Sequence, residues 1–314
     1  MIIHKNKEIR LKNLTIEYFR GFYEPQLIEF AIPTMKSGSG LTIIVGPNNS
    51  GKSTILEALK KFTKRDKPQL TENERHINGS SKLKLVNTKH EEKIIETYGG
   101  SNTVYEGEKI YPTQNDFYLI NARRYWRQFF SPDSIDEDDY KSRISSRVSG
   151  EFIDDDSDFG PLISNIEKDA NKKQKFDTLM KNLLPNFHSW TIELNEDNRN
   201  YIKYTTGIGD THISKYWGDG TINLFKIIAP LVEENSKEII VIDEPELSLH
   251  PQLQKRLVKL LSEYSKNKQI ILMTHSPYFV RWEDFENGAK IIRLNKKRRL
   301  QLLAVARVNT IFTR

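Results

Sequence analysis

The eight residues Gly46-Pro47-Asn48-Asn49-Ser50-Gly51-Lys52-Ser53 restrict what this chain can fold into more than any other segment. They fit the pattern G-x-x-x-x-G-K-[ST], and both flanks agree with it. Before the loop stands the continuous apolar run Leu41 to Val45 (LTIIV), whose length and branching suit a strand buried on both faces. After it, Ser53 to Phe62 (STILEALKKF) places Ile55, Leu56 and Leu59 on one helical face. Strand, glycine loop and helix in that order make a cradle for phosphate. Gly46 and Gly51 let the backbone turn its amides inward, and the helix adds the positive end of its dipole. Lys52 is expected to reach the β- and γ-phosphates, and Ser53 to offer a hydroxyl to Mg²⁺. Thr54 continues the loop into the helix and is grouped with it.

Two further segments repeat the design of a buried strand that ends in a chemically active side chain. Glu238 to Ile242 reads as a strand delivering Asp243 and Glu244. In the company of the phosphate loop, Asp243 is placed to hold Mg²⁺ or its water and Glu244 to take a proton from attacking water. Alone, the pair would be an ordinary polar strand end. Gln269 to Met273, in QIILMTHSPYF, delivers His275 toward the same sheet edge, where it can contact the γ-phosphate and orient the water. The catalytic set expected from sequence is therefore Lys52, Glu244 and His275.

The rest of the chain fits an α/β protein. Leu14 to Tyr18 and Gln26 to Phe30 read as short strands, and alternating pieces between Arg65 and Gly107 as an antiparallel β subdomain. Phe117 to Ile120 is another buried strand. Pro161 to Leu184 carries one amphipathic helical pattern, followed by a hairpin over Trp190 to Leu194 and Tyr201 to Tyr204. Helices are expected at Thr221 to Val232 and Gln252 to Tyr264, and a hairpin in the stretch starting at Lys290, its turn at Lys296 to Arg299. The acidic runs at 136 to 139 and 154 to 156 read as solvated loop rather than as a metal site.

Composition removes several alternatives. Without cysteine there are no disulfides, thiolate zinc sites or cysteine nucleophiles. No apolar run approaches the ~18 residues of a membrane span, and the first residues lack a signal-peptide core, so the expected location is cytoplasmic, with no membrane partner. The net charge of +6 is mild for 314 residues and is weak evidence for DNA.

These residues carry a resemblance. LTIEYFRGF at 14 to 22, GPNNSGKST at 46 to 54, WGDGTINL at 217 to 224, VIDEPELSLHP at 241 to 251 and MTHSP at 273 to 277 are similar to ABC-type ATPases of the overcoming-lysogenization-defect family and to RecF-like and SMC-like heads. The resemblance implies a P-loop NTPase of ABC type: a mixed central sheet flanked by helices, with an antiparallel β subdomain and a helical insertion. It implies one domain over 1–314, with an N-terminal half at 1–125, an insertion at 126–215 and a C-terminal half at 216–314. The implied cofactors are ATP and Mg²⁺. Gly218, Asp219, Gly220 and Thr221 resemble the signature that closes over nucleotide held by a second copy, although the usual serine-glycine form is replaced here. A plain cap on the following helix is the other reading. Glu246, Ser248 and His250 are expected near the interface of a homodimer or higher oligomer. Gln114 and Gln128 are weak matches to a Mg²⁺-contacting glutamine, and Arg123 and Arg124 resemble an arginine-bearing segment of these families.

Members that are nucleases continue into a further metal-dependent domain, whereas about 35 residues follow Phe279. If the chain is complete, nuclease chemistry is expected from an effector partner. The leading expectation is a sensor or motor of an antiphage defence system. A DNA-clamping repair ATPase, using Lys60, Lys61, Lys64 and Arg65, and a nucleotide-gated scaffold are the alternatives.

Overall fold

A computed structural model describes residues 9–63, 70–75, 80–98, 103–107, 112, 116–122, 159–196, 200–207, 209–213, 218–233, 238–295 and the backbone of 300–304. Two compact units share the chain. The first takes residues 1–119, 235–246 and 257–314, and the second takes 120–234 and 247–256.

In the first unit the buried runs form a six-stranded sheet. Its strands are β3 (Leu41–Val45), β7 (Phe117–Ile120), β11 (Ile239–Asp243), β12 (Gln269–Thr274), β13 (Lys290–Leu294) and β14 (Leu300–Ala304), in the order β14-β13-β3-β12-β11-β7. Strands β13, β3, β12 and β11 run parallel, and β14 pairs antiparallel with β13. Every residue of β11 and β12 is buried, which is why both read as unbroken aliphatic runs instead of alternating ones. The register fixes where the chemistry emerges. Val45 lies opposite Thr274, and Asp243 opposite Met273, so Gly46, Glu244 and His275 leave the carboxyl ends of three parallel neighbours within about one residue of each other. Helix α1 (Lys52–Lys61) follows the loop and buries Ile55, Leu56, Ala58 and Leu59.

A second sheet in this unit is antiparallel: β1 (Leu11–Glu17), β2 (Gln26–Glu29), β4 (Ser81–Asn87), β5 (Glu92–Thr97) and β6 (Thr103–Glu106), in the order β2-β1-β4-β5-β6. The antiparallel subdomain thus includes the first two strands of the chain. Gln269 ties the two sheets together: its amide donates to the carbonyls of Leu11 and Ala31, at 2.8 Å each, and its oxygen accepts from Leu11 N at 2.8 Å. One side chain thereby satisfies three backbone groups at a sheet end. Lys93, on β5, is 7% exposed and donates to the Pro112 carbonyl. Burial pulls its ammonium down to about 8, against the opposing pull of Asp116.

The second unit is built from α2 (Phe159–Lys168), α3 (Ala170–Leu183), the sheet β10-β9-β8, and α4 (Asp219–Val232). Its strands are β8 (Phe187–Leu194), β9 (Asn200–Thr206) and β10 (Thr211–Ile213). The single helical pattern at Pro161 to Leu184 proves to be two helices. Asp169 caps the second, accepting from Asn171 N at 3.0 Å and Lys172 N at 3.1 Å, so the chain restarts in mid-pattern. Phe176, Trp190 and Phe225 pack in tilted and edge-to-face pairs with centroids 5.1 to 5.8 Å apart, and Lys173 Nζ lies 4.0 Å over the Trp190 ring. Ile222 to Val232 are all buried, so α4 is enclosed nearly all round. Among the described residues no helix is long and apolar enough to cross a membrane.

Candidate functional site

The phosphate loop adopts the conformation its glycines permit. Gly51 has φ 104° and Asn49 φ 62°, both left-handed. At Gly46 a Cβ would come within 2.6 Å of Ser50 Oγ and 3.0 Å of the Leu294 carbonyl, so a side chain is excluded by the loop's own closure and by β13. Pro47, Asn48 and Asn49 are exposed, and Thr54 N bonds the Gly51 carbonyl at 3.1 Å as the helix begins. Lys52 is buried at its stem and folds its ammonium onto the carbonyls of Gly46 (2.7 Å) and Pro47 (3.0 Å).

Ser53 and Asp243, assigned to one metal from sequence, are brought together: Ser53 Oγ donates to Asp243 Oδ2 at 3.0 Å. Ser53 is exposed, and Asp243 is 2% exposed at the end of the fully buried β11. A hydroxyl and a carboxylate oxygen at the helix N-terminus form the hard-oxygen donor set that Mg²⁺ prefers, with positions left for phosphate oxygens and water. Among the described residues no three His, Asp or Glu side chains gather into a metal site of their own.

The next residue, Glu244, is half-buried and left-handed at φ 51°, with its N–H bonded to the Met273 carbonyl at 2.8 Å. A glutamate held in that region costs about 1–3 kcal/mol, and such strain gathers at functional sites. His275 lies at the end of the neighbouring strand. Its backbone N–H bonds Glu246 Oε1 at 2.9 Å, and its Nδ1 lies 3.0 Å from the same oxygen. Glu246 is nearly enclosed (side chain 5% exposed) and engages His275 of its own chain. Sequence reasoning missed this contact. The available signal was a third carboxylate just beyond Asp243 and Glu244, in a turn set by Pro245. Ser248 and His250 are exposed.

Gly218 to Thr221 belong to the second unit. Gly218 is the N-cap of α4, with φ −68° and no side-chain cap. A Cβ there meets nothing within 4 Å, whereas one at Gly220 would approach the Ser248 carbonyl to 2.7 Å. Both Gly218 and Asp219 are exposed. Asn223 Nδ2 donates to the Leu247 carbonyl at 3.0 Å, holding the 247–256 segment against the start of α4. Gln114, Gln128, Arg123, Arg124, Trp217, both acidic runs and the turn at Lys296 to Arg299 lie outside the described residues.

A parallel sheet whose carboxyl edge presents a phosphate loop, an Asp-Glu pair and a histidine defines an ABC-type P-loop ATPase fold. Solved structures agree with that architecture. An SMC head domain from Thermotoga maritima is 19% identical and covers 94% of this chain and 99% of its own, with a TM-score of 0.50. An Smc head bound to the C-winged helix domain of ScpA is 15% identical, covers 95% and 98%, and has a TM-score of 0.60. A third, an Smc head with an extended coiled coil bound to the C-terminal domain of ScpA derived from Pyrococcus furiosus, gives 14% identity and 0.59 over 94% and 96%.

The family model described as "AAA domain, putative AbiEii toxin, Type IV TA system" matches residues 41–281, and the chain belongs to that family. Among curated proteins it is similar to the Septu protein PtuA of Bacillus thuringiensis, 22% identical over 277 residues, covering 77% of this chain and 67% of that protein.

Proposed function

We propose that this protein binds and hydrolyses ATP with Mg²⁺, and that two copies pair around the nucleotide so that the state of the dimer drives a partner effector in antiphage defence. The observation that carries the reading is the 3.0 Å contact between Ser53 and Asp243, which joins the phosphate-loop helix to the acidic strand end. Ser53 and Asp243 would hold Mg²⁺, which supplies charge neutralisation to the phosphates when bound. On nucleotide entry Lys52 exchanges the carbonyls of Gly46 and Pro47 for β- and γ-phosphate oxygens, a stronger, charge-assisted contact. The amides of Gly46 to Thr54 cradle the phosphates. Glu244 takes the proton of the attacking water, and His275 orients that water against the γ-phosphate.

Gly218 to Thr221 would close over the γ-phosphate of the other copy. Support comes from the exposed, uncapped start of α4, whose first amides form an anion-binding end. The defence role is supported by the family description and by the similarity to PtuA. The DNA-clamp alternative draws no such support from α1, where Lys61 pairs with Glu74 at 2.7 Å and Lys60 with Glu57 at 2.9 Å. Lys64 and Arg65 lie outside the described residues.

Phosphate release by the purified protein with ATP and Mg²⁺ tests the enzymatic reading. Activity abolished by chelation and by Lys52→Ala is expected. Turnover that is indifferent to Lys52→Ala would contradict it.

A further inference from the structure

We propose that Glu246 is a positioning residue: it fixes the proton of His275 on Nδ1 and so presents the lone pair of Nε2 to a proton of the attacking water. This rests on the reading of His275 given above and assigns the side chain that makes it work. A carboxylate carries no proton to donate, so a 3.0 Å approach from His275 Nδ1 places the ring proton on that nitrogen. The tautomer is set by the partner of the other nitrogen, which leaves Nε2 to act. The His275 side chain is half-exposed (51%), in contrast to the enclosed Glu246.

The same oxygen also accepts the backbone N–H of His275 at 2.9 Å, so Glu246 holds the residue at two points and removes the ring's freedom to swing. The turn beyond is fixed independently: Ser276 N bonds Thr274 Oγ1 at 3.0 Å, and Tyr278 N bonds Ser276 Oγ at 3.3 Å. Enclosing a carboxylate is unfavourable unless it is hydrogen-bonded. The other oxygen, Glu246 Oε2, is buried and finds no hydrogen-bond partner among the described residues, so the contacts with His275 are its compensation. Glu246 comes two residues after Glu244 in the turn that leaves β11. It therefore ties the loop bearing the general base to the loop bearing the histidine, and the Glu244 N–H bond to Met273 supplies a second tie.

The test uses the full chain with labelled histidines. His275→Ala identifies the His275 signals among the seven histidines. Ring-nitrogen NMR of the nucleotide-free protein should show the proton on Nδ1, and Glu246→Ala should move it off. In ATP hydrolysis, Glu246→Ala should lower kcat about tenfold or more at unchanged KM, the size seen when an orienting partner is lost. Glu246→Gln, whose amide oxygen can accept both bonds, should keep the Nδ1 proton and most of kcat. Adding Glu246→Ala to His275→Ala should cost nothing further, because the first acts through the second.

A wild-type ring protonated on Nε2, or losses that multiply in the double variant, overturns the proposal. If Glu246→Ala fails to fold, the wild-type and Glu246→Gln spectra decide between the same outcomes. If the wild type releases no phosphate, the reading of His275 as a hydrolytic residue falls, whereas the NMR experiment still settles whether Glu246 sets the tautomer.

Discussion

Two helices of this protein start behind glycines, and the glycines do different work. Before α1, Gly46 is hemmed in by Ser50 and the Leu294 carbonyl and Gly51 takes a left-handed φ of 104°, so the loop's shape is imposed from within the chain. Before α4, Gly218 has an ordinary φ of −68° and open space around its Cα, and only Gly220 is crowded, by the Ser248 carbonyl. The first loop is a finished receptor. The second offers an exposed helix start, and no contact around Gly218 requires a glycine there.

That contrast can be broken or sharpened by substitution. The largest effect is expected beside the finished receptor: Glu244→Gln should reduce hydrolysis by about 10²–10⁴-fold, the range of general-base catalysis, while ATP still binds, as equilibrium dialysis would show. Lys52→Ala should instead weaken nucleotide binding by about 10–100-fold, the worth of hydrogen bonds to charged groups. Gly51→Ala places a side chain at φ 104° and should destabilise the protein by about 1–3 kcal/mol, seen as a lower melting temperature.

Gly218→Ala should leave the melting temperature unchanged, because its Cβ meets nothing, yet lower ATPase activity about tenfold through an obstructed closure, on the order of one lost charged hydrogen bond. Equal losses of stability from Gly51→Ala and Gly218→Ala would remove the distinction. The smallest effect lies away from both loops. Burial holds Lys93 at about 8 in the folded chain, below the ordinary lysine value of 10.5, so the unfolded chain binds more protons between those limits. Stability should therefore rise from about pH 8 to 10.5, and Lys93→Met should flatten that rise in pH-dependent melting curves.

The sheet that carries the chemistry was legible in the sequence because its buried strands are contiguous apolar runs that end in Gly46, Asp243 and His275. The antiparallel pairing of β1 with β4 was not, since about 70 residues separate Leu14 from its partner Leu85 and alternation along a strand does not name the neighbour. The break at Asp169 was hidden because a capping aspartate also passes for a polar residue on a helix face. Gln269 and Glu246 were missed for a common reason: each is a polar side chain whose role lies entirely in a partner from a distant segment. The phosphate loop announced itself because its chemistry is local, whereas the side chains that hold its neighbours in place depend on tertiary contacts.

The central claim, that ATP brings two copies together, is tested most directly by the solution mass of Glu244→Gln in sedimentation equilibrium with and without ATP and Mg²⁺. A dimer or larger assembly that forms with ATP and dissociates without it is the predicted result. A monomer in every nucleotide condition would contradict the account.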